Sequence, residues 1–241
     1  MIVKVCEDYA EMSYMAAEVI AAEMEKKKNF VLGLATGSTP VGTYGNLVEM
    51  NKQGRLDFSE VQTFNLDEYC GLYPSHDQSF NYFMYMNLFN YINIKNENVH
   101  VPFGMARDYD SWCKGYEEAI AKAGGLDLQL LGMGSNGHIG FNEPADTFAD
   151  ITHTVQLTES TIKDNSRFFA SEDEVPKSAV TMGIGTILRA RKIVMVVNGA
   201  NKAKGVKEML EGPVTPQMPA SALQNHEDVT VFLDKEAAAL L

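Results

Sequence analysis

Short apolar runs alternate with segments of helical period along most of this chain. Strands are predicted at residues 2–5, 30–34, 61–65, near 99, at 126–131 and at 193–197, and helices after residue 8, at 41–53, 79–89 and 108–123, and from about 201. Strands that alternate with helices in this way are typical of right-handed crossovers and a parallel sheet. The pattern therefore predicts an α/β, Rossmann-like fold: a single domain over residues 1–241, with a largely parallel sheet and helices on both faces.

Two of the predicted helices have clear starting signals. Asp8 followed by Glu11 forms a capping box in front of the first helix, on which a stripe of apolar residues begins at Met12. Methionines at helical spacing are typical of core packing, and we interpret the stripe as core. Thr39 is the expected N-cap of the helix at 41–53, with Pro40 in its first turn.

The composition is that of an ordinary globular protein, since 45% of the 241 residues are hydrophobic and 22% are charged. This composition therefore argues against disorder and against fibrous architecture. The longest apolar runs are far shorter than the roughly 20 residues that a membrane-spanning helix needs. The acidic residues that soon follow Met1 are unlike a secretory signal. These features predict a cytoplasmic protein with no membrane partner.

The charge of the chain limits its partners further. A formal net charge of -12 at pH 7 repels nucleic-acid phosphates, so no nucleic acid is expected as a partner. An anionic small ligand would need a local pocket of positive charge. The three cysteines, Cys6, Cys70 and Cys113, are widely separated, which argues against a disulfide framework and against a cysteine metal site.

Four predicted loops carry residues that are suited to chemistry. They are residues 35–39, 66–69, 132–144 and 199–204. Open parallel sheets bind ligands beyond the carboxyl ends of their strands, where such loops meet. All four loops should therefore open onto one rim of the sheet.

The first loop, Ala35-Thr36-Gly37-Ser38-Thr39, offers backbone amides, hydroxyls and a glycine at a helix N-terminus. These groups together are typical of an anion-binding cradle, in which a phosphate would fit. An ordinary loop-and-cap sequence has the same composition, so the loop alone leaves both interpretations open. No lysine follows the glycine, which excludes a nucleotide P-loop of the usual form.

The second loop places two adjacent carboxylates, Asp67 and Glu68, directly after a buried strand. A carboxylate in this position is a candidate general base, and a solvated pair is the simpler interpretation. Adjacent side chains of an extended backbone point in opposite directions, so one of the two should face the pocket, and spacing does not decide which. No histidine or cysteine lies beside them at ligand spacing, so a metal site is not expected.

The third loop contains Gly132, Gly134 and Gly137, which match the dinucleotide fingerprint and make a nicotinamide oxidoreductase one hypothesis. That fingerprint requires a helix to follow. Here Gly140 and Pro144 interrupt the next turns and no apolar face develops. The segment is therefore predicted to be a shaped loop, which weakens the dinucleotide hypothesis.

The same loop carries a single histidine, His138. A lone histidine is more often structural than catalytic, but the surrounding glycines let the backbone pass close to a ligand. Glu143 follows five residues later and is held extended by the proline after it. A histidine with a carboxylate to orient it is suited to proton transfer.

Two cations are candidates for binding an anion at this rim. Lys202, in the fourth loop, is favoured for the pocket because the chain is acidic and a phosphate-like loop lies on the same rim. Spacing alone leaves the place of Arg167 open.

Four motifs resemble those of the glucosamine-6-phosphate deaminase family, in the family's order and along essentially the whole chain. They are residues 34–40 (Leu-Ala-Thr-Gly-Ser-Thr-Pro), 65–69 (Asn-Leu-Asp-Glu-Tyr), 137–144 (Gly-His-Ile-Gly-Phe-Asn-Glu-Pro) and 165–169 (Asn-Ser-Arg-Phe-Phe). Sugar lactonases of this fold share a Gly-His element but lack Phe-Asn-Glu-Pro after it. The resemblance implies an enzyme that converts glucosamine 6-phosphate and water to fructose 6-phosphate and ammonia, without a metal or organic cofactor.

The resemblance also implies a role for each candidate residue. His138, supported by Asn136 and Glu143, would move the proton that opens the sugar ring, and Asp67 would take the proton from carbon 2. The substrate and its phosphate would be bound by Ala35, Thr36, Gly37, Ser38, Thr39, Gly137, Arg167 and Lys202. Arg167 belongs to a polar segment, residues 158–178, that resembles the family's lid.

The chain departs from the family pattern at two places. Many relatives have aspartate at the position of Asn136, and an amide can orient His138 but cannot neutralise an imidazolium. Ring opening is still expected. His153 and Val155 stand where allosterically activated members carry basic residues, so activation is not expected and the oligomeric state stays open.

Two other functions remain as hypotheses. One is a non-catalytic sugar-phosphate sensor, similar to the effector domains of some bacterial regulators. Such a protein needs a DNA-binding module, and only one predicted strand and one predicted helix precede the phosphate loop. The other is a hydrolase similar to 6-phosphogluconolactonase.

Overall fold

The computed structural model of the chain describes residues 1–166, 169 and 171–241. The strands are β1 (Ile2–Cys6), β2 (Val31–Leu34), β3 (Gln62–Asn65), β4 (Asp67–Tyr69), β5 (Val99–His100), β6 (Leu128–Leu131), β7 (His153–Gln156), β8 (Ser178–Thr181), β9 (Ile193–Val197) and β10 (Val229–Asp234). The α-helices are α1 (Tyr9–Met24), α2 (Val41–Lys52), α3 (Phe80–Asn87), α4 (Tyr109–Lys122), α5 (Glu159–Ser166), α6 (Ile184–Leu188) and α7 (Ala203–Glu211).

Seven strands form the main sheet, in the order β1-β10-β9-β6-β2-β3-β5. Every neighbouring pair in this sheet is parallel. The central strands β2, β6 and β9 are buried along their whole length, as expected for strands that helices cover on both faces. The predicted single-domain α/β fold with a largely parallel sheet is therefore confirmed.

The two faces of the main sheet have separate hydrophobic cores. On one face, α1 and α2 contribute fully buried side chains such as Met12 and Leu47. On the other face, α4 and α7 contribute buried side chains such as Tyr116 and Val206. The methionine stripe on α1 is part of the first core, as its helical spacing predicts.

A second sheet, which the sequence pattern does not predict, contains β4, β8 and β7 in antiparallel order. The prediction of a loop at residues 66–69 is wrong, because most of it forms β4. A strand of three residues is too short to show alternation. Only its distant partner defines it, since Asp67 pairs with Thr181 of β8.

The helix starts agree with the predictions at α1 and differ at α2. The Asp8 side chain accepts a hydrogen bond from the backbone N–H of Glu11, as the capping box predicts. The prediction that Thr39 caps α2 is wrong, because Pro40 occupies the N-cap position without a side-chain cap. The Thr39 hydroxyl instead donates to Asn198 Oδ1 over 2.7 Å, which ties the first loop to the end of β9.

A third apolar cluster lies outside the main cores. Its buried members are Tyr69, Phe141, Leu157, Ile162, Val175 and Ala179. Through Ile162 it attaches α5 to the second sheet and to Phe141 of the loop at 132–144, and it therefore sets the position of α5 over that loop. Among the described residues, no helix has the length and apolar character needed to span a membrane.

Candidate active site

The four segments at residues 35–39, 66–69, 132–144 and 199–204 meet at one cavity of about 360 Å³. Its lining includes residues 35–40, Asp67, residues 132–135, His138 and Lys202. Asp67 belongs to β4 of the second sheet and His138 to the loop that follows β6 of the main sheet, and both face the same space. Thr161 of α5 and four aromatic side chains, Tyr69, Phe80, Phe141 and Phe169, also line it.

Asp67 and Glu68 are adjacent in the extended strand β4, so their side chains point in opposite directions. Asp67 lines the cavity and is only 6% exposed. Among the described residues, no group donates a hydrogen bond to its carboxylate. Burial, with a smaller repulsion from Glu68, raises the pKa of Asp67 to about 8. A carboxylate with such a pKa is a stronger base than an ordinary aspartate.

Glu68 points away from the cavity and holds the start of α3. Its carboxylate accepts hydrogen bonds from the backbone N–H groups of Tyr69 (2.9 Å), Phe80 (2.9 Å) and Asn81 (3.0 Å). Burial raises its pKa to about 7, and these three donors oppose that rise. The position of Glu68 at a helix N-terminus gives it a structural role and leaves Asp67 as the carboxylate of the pair that faces the cavity.

His138, Asn136 and Glu143 form a continuous hydrogen-bonded relay. His138 Nδ1 lies 2.8 Å from Asn136 Oδ1 and 3.5 Å from Glu143 Oε2. The Asn136 amide Nδ2 donates to Glu143 Oε2 over 2.7 Å. Because an amide oxygen only accepts, Nδ1 of the neutral imidazole carries the proton and Nε2 is left as an acceptor. The ring can therefore take up a proton at Nε2.

Glu143 has a donor at each of its carboxylate oxygens. Asn136 donates to Oε2, and the Thr161 hydroxyl donates to Oε1. Burial would raise the pKa of Glu143, but its hydrogen bond and attraction to His138, with the donors Thr161 and Asn136, lower it to about 2. Glu143 is thus a fixed anion behind the histidine.

The glycines of the third loop make room for His138. A Cβ on Gly134 would lie 2.2 Å from the imidazole ring, and Gly137 has φ +84° with Met218 packed against it. Close approach and a left-handed backbone thus account for these two glycines. The segment forms no helix, as predicted, so the match to the dinucleotide fingerprint is a coincidence of spacing.

The first loop is held as a cradle beside the cavity. Gly37 has φ +96°, which allows the sharp turn. Among the described residues, no group accepts a hydrogen bond from the backbone N–H of Gly37, Ser38 or Thr39. The Tyr9 hydroxyl lies 3.2 Å from Ser38 O and accepts the N–H of Gly42 over 2.8 Å, so α1 fixes the loop against α2.

Of the two predicted cations, Lys202 is among the described residues. Lys202 lines the cavity at the end of a 3-10 turn, Ala200–Lys202, that leads into α7. Arg167 lies outside the described residues. Within the described part of the chain, no cluster of histidine, cysteine or acidic residues is suited to a metal ion.

Sequence reasoning missed Thr161 and Tyr9. Thr161 occurs in an unremarkable polar stretch, and Tyr9 is 29 residues from the loop that it holds. Neither position carries a local signal, because each acts through a contact between distant segments.

Residues 7–232 match the family described as Glucosamine-6-phosphate isomerases/6-phosphogluconolactonase. A curated protein named Glucosamine-6-phosphate deaminase from Thermoanaerobacter sp. (strain X514) is 56% identical over 97% of this chain and 92% of its own length. One of the same name from Clostridium botulinum (strain Alaska E43 / Type E3) is 54% identical over 100% of this chain and 97% of its own.

Two solved structures superimpose on this chain over almost their whole length. A monomeric glucosamine-6-phosphate deaminase superimposes with a TM-score of 0.97 and 44% identity, covering 100% of both chains. A 6-phosphogluconolactonase from Thermotoga maritima superimposes with a TM-score of 0.77 and 22% identity, covering 97% of this chain and 98% of its own. The second likeness concerns the fold alone.

Proposed function

This chain belongs to the family of glucosamine-6-phosphate isomerases and 6-phosphogluconolactonases, and we propose that it is a glucosamine-6-phosphate deaminase. The reaction converts glucosamine 6-phosphate and water to fructose 6-phosphate and ammonia. The observation that carries the proposal is the shared cavity of Asp67 and His138, beside the glycine loop at 35–39 and Lys202. A relative of the same name is 56% identical to almost the whole chain.

Substrate binding begins with the phosphate. The backbone N–H groups of Gly37, Ser38 and Thr39 bind its oxygens, and Lys202 supplies positive charge. Arg167, which follows α5 in the sequence, is proposed as the second cation. The segment at 158–178 then acts as a lid that closes over the bound sugar.

Ring opening is the task of His138. Nε2 of the neutral imidazole takes the proton from the anomeric hydroxyl and returns it to the ring oxygen, and the bond between that oxygen and carbon 1 breaks. Asn136 holds the ring through Nδ1, over 2.8 Å, and the Glu143 anion favours the transient imidazolium. The product of this step is the open-chain aldehyde.

Asp67 then removes the proton from carbon 2 of the aldehyde. The electron pair of that bond forms a double bond between carbons 1 and 2, and the aldehyde oxygen takes a proton. Carbon 1 is next protonated as the amino group loses a proton, which gives an imine at carbon 2. Water adds to the imine carbon and ammonia leaves, so that fructose 6-phosphate remains. A base with a raised pKa is suited to a carbon acid.

The proposal is tested by incubating the purified protein with glucosamine 6-phosphate and measuring ammonia and fructose 6-phosphate together. We expect the two products in equal amounts. Unphosphorylated glucosamine should be a far poorer substrate, because it lacks the group that the loop at 35–39 binds. No product at saturating substrate would end the proposal.

A 6-phosphogluconolactonase activity is the alternative to exclude in the same experiment, because the family includes both activities. Lactone hydrolysis needs no base at carbon 2. Rapid hydrolysis of 6-phosphogluconolactone, with no ammonia from the amino sugar, would reassign the protein to that activity.

The phosphate site has its own test, with a matched control. Lys202→Ala should raise the KM for glucosamine 6-phosphate about tenfold, and Arg167→Ala should act in the same direction. Lys204→Ala removes a neighbouring lysine whose side chain is 85% exposed, and it should leave KM unchanged. Equal effects of Lys202→Ala and Lys204→Ala would remove Lys202 from the site.

We also propose a cytoplasmic location. A sugar phosphate carries a charge that cannot enter a bilayer without a large desolvation cost, so an enzyme that uses it works in the compartment where the sugar is phosphorylated.

A further inference from the structure

Thr161 is a residue of the cavity to which the mechanism above gives no task. It lies on α5, is 6% exposed, and donates its hydroxyl to Glu143 Oε1. We propose that Thr161 is a positioning residue that couples α5 to the proton relay, so that His138 is aligned for proton transfer when α5 is docked. The catalytic part of this inference rests on the proposed function, whereas the coupling itself does not.

The direction of the Thr161 hydrogen bond follows from its neighbours. The Thr158 hydroxyl donates to Thr161 Oγ1 over 3.1 Å, and Thr158 Oγ1 accepts the backbone N–H of Thr161 over 3.2 Å. Thr158 therefore caps the first turn of α5 and fixes the side chain of Thr161. Because the Glu143 carboxylate only accepts, the Thr161 hydroxyl proton points to Glu143.

The contact holds Glu143 in the one orientation that serves the relay. Its Oε1 is occupied by Thr161, and its Oε2 accepts the Asn136 amide over 2.7 Å. Asn136 in turn holds His138 Nδ1 over 2.8 Å. A donor at each oxygen restrains the rotation of the carboxylate, and without Thr161 one oxygen would lose its partner. The buried chain Thr161, Glu143, Asn136, His138 thus runs from α5 to the imidazole.

The rest of α5 connects the packed wall of the cavity to the proposed phosphate ligand. Ile162, the next residue, is 8% exposed and packs in the cluster that includes Tyr69 and Phe141, both of which line the cavity. α5 ends at Ser166, and the sequence continues directly with Arg167, the proposed phosphate ligand. A helix that leads into a substrate ligand and also contacts the relay can link substrate binding to proton transfer.

The first test replaces the hydroxyl and keeps the shape. Thr161→Val should lower kcat about tenfold and change KM less, because it removes one hydrogen bond to a charged group of the relay. Thr161→Ser, which keeps the hydroxyl, should stay within about threefold of the parent. The control is Thr154→Val, at an exposed position of β7, which should leave kcat unchanged. A parental kcat for Thr161→Val would overturn the proposal.

A double-mutant cycle separates coupling from a general structural role. If Thr161 acts through Glu143, then Thr161→Val should cost little more once Glu143→Gln is present, because the relay is already impaired. A structural role elsewhere predicts that the two losses multiply. Losses that multiply would contradict the proposal.

Hydrogen exchange supplies a readout that needs no activity and is unaffected by a poorly folding Thr161 variant. In Glu143→Ala, which removes the acceptor, the backbone amides of α5 should exchange at least about threefold faster than in the parent. The amides of β10, in the main sheet, should not change. Unchanged exchange in α5 would reject the coupling even if the protein is a deaminase. Faster exchange in a protein without deaminase activity would leave the coupling and reject the proposed function.

Discussion

Asp67 in β4 and Glu143 in the loop at 132–144 are almost equally buried, at 6% and 9% exposure, yet their pKa values move in opposite directions. Burial, with repulsion from Glu68, raises the pKa of Asp67 to about 8. Burial acts on Glu143 too, but His138, Thr161 and Asn136 outweigh it and lower the pKa to about 2. At Glu143 the hydrogen-bond donors and the attraction to His138 outweigh burial, whereas at Asp67 the repulsion from Glu68 adds to burial.

Under the proposed function, this contrast gives the two carboxylates of one small cleft different tasks. The carboxylate that receives no donor from the described residues keeps a high affinity for protons and can act as a base. The carboxylate with a donor at each oxygen stays ionised and supports the histidine. The roles proposed for the two carboxylates thus follow from their local environment more than from their residue type.

The largest effect is expected from removing Asp67, the carboxylate that we propose as the base. Asp67→Asn should lower kcat for glucosamine 6-phosphate by roughly two to four powers of ten, the range for loss of a positioned base. The measurement is the steady-state release of ammonia, with circular dichroism to verify the fold. An unchanged kcat would move the base to another residue.

The pH dependence of the parent enzyme should reveal the raised pKa of Asp67. Below pH 8 the free enzyme holds Asp67 protonated, so kcat/KM should fall about tenfold for each unit of decreasing pH. Glu68→Gln removes the neighbouring charge and should shift the inflection to lower pH by about one unit. A profile that stays flat down to pH 6 would show that Asp67 ionises normally or is not the base.

Removal of the Glu143 charge should have a smaller effect. Glu143→Gln keeps the size of the side chain but replaces a charged acceptor, so kcat should fall roughly ten- to a hundredfold. The loss should be in kcat more than in KM, since the relay acts on the reacting proton. A loss as large as that of Asp67→Asn would contradict the division of tasks.

The smallest expected effects are on stability, and they have opposite signs. The pKa of Glu143 in the folded protein lies below its unfolded value, so its contribution is present above about pH 4.3 and is lost as pH falls toward 2. Glu143→Gln should therefore lower Tm by about 5 °C at pH 7 and by less at pH 3. The pKa of Asp67 is raised, so its contribution is present below about pH 3.9 and is lost as pH rises through 8. Asp67→Asn should raise Tm at pH 9 more than at pH 5, and thermal unfolding at these pH values checks both variants.

The sequence predicted six of the seven strands of the main sheet, because these strands are short apolar runs between amphipathic helices. It missed β10, which lies between β1 and β9. The central strand β9 has the bounds that the pattern indicated, since all five of its residues are buried. The second sheet was not predictable in this way. β4 has three residues, and β7 alternates between half-buried and exposed positions with its partner β8 far along the chain.

The site was predictable where the chemistry is local. Gly37, His138 and the Asp67-Glu68 pair could be picked out from their neighbours. Spacing did not separate Asp67 from Glu68, but the family resemblance favoured Asp67, and the structure places Asp67 in the cavity and Glu68 at the start of α3. The donors that set the pKa of Glu143 come partly from α5, and no local pattern at Thr161 indicates that contact. The catalytic roles of these residues stay predictions until they are measured.

The proposed division of tasks requires that donors and the attraction to His138 keep Glu143 ionised, while burial and the repulsion from Glu68 raise the pKa of Asp67. The most direct measurement is a carbon-13 NMR titration of the side-chain carboxyl groups, with Asp67→Asn and Glu143→Gln used to assign the two signals. We predict that the Asp67 signal titrates near pH 8 and that the Glu143 signal stays that of an ionised carboxylate down to about pH 3. Two signals that titrate together near pH 4 would contradict the account.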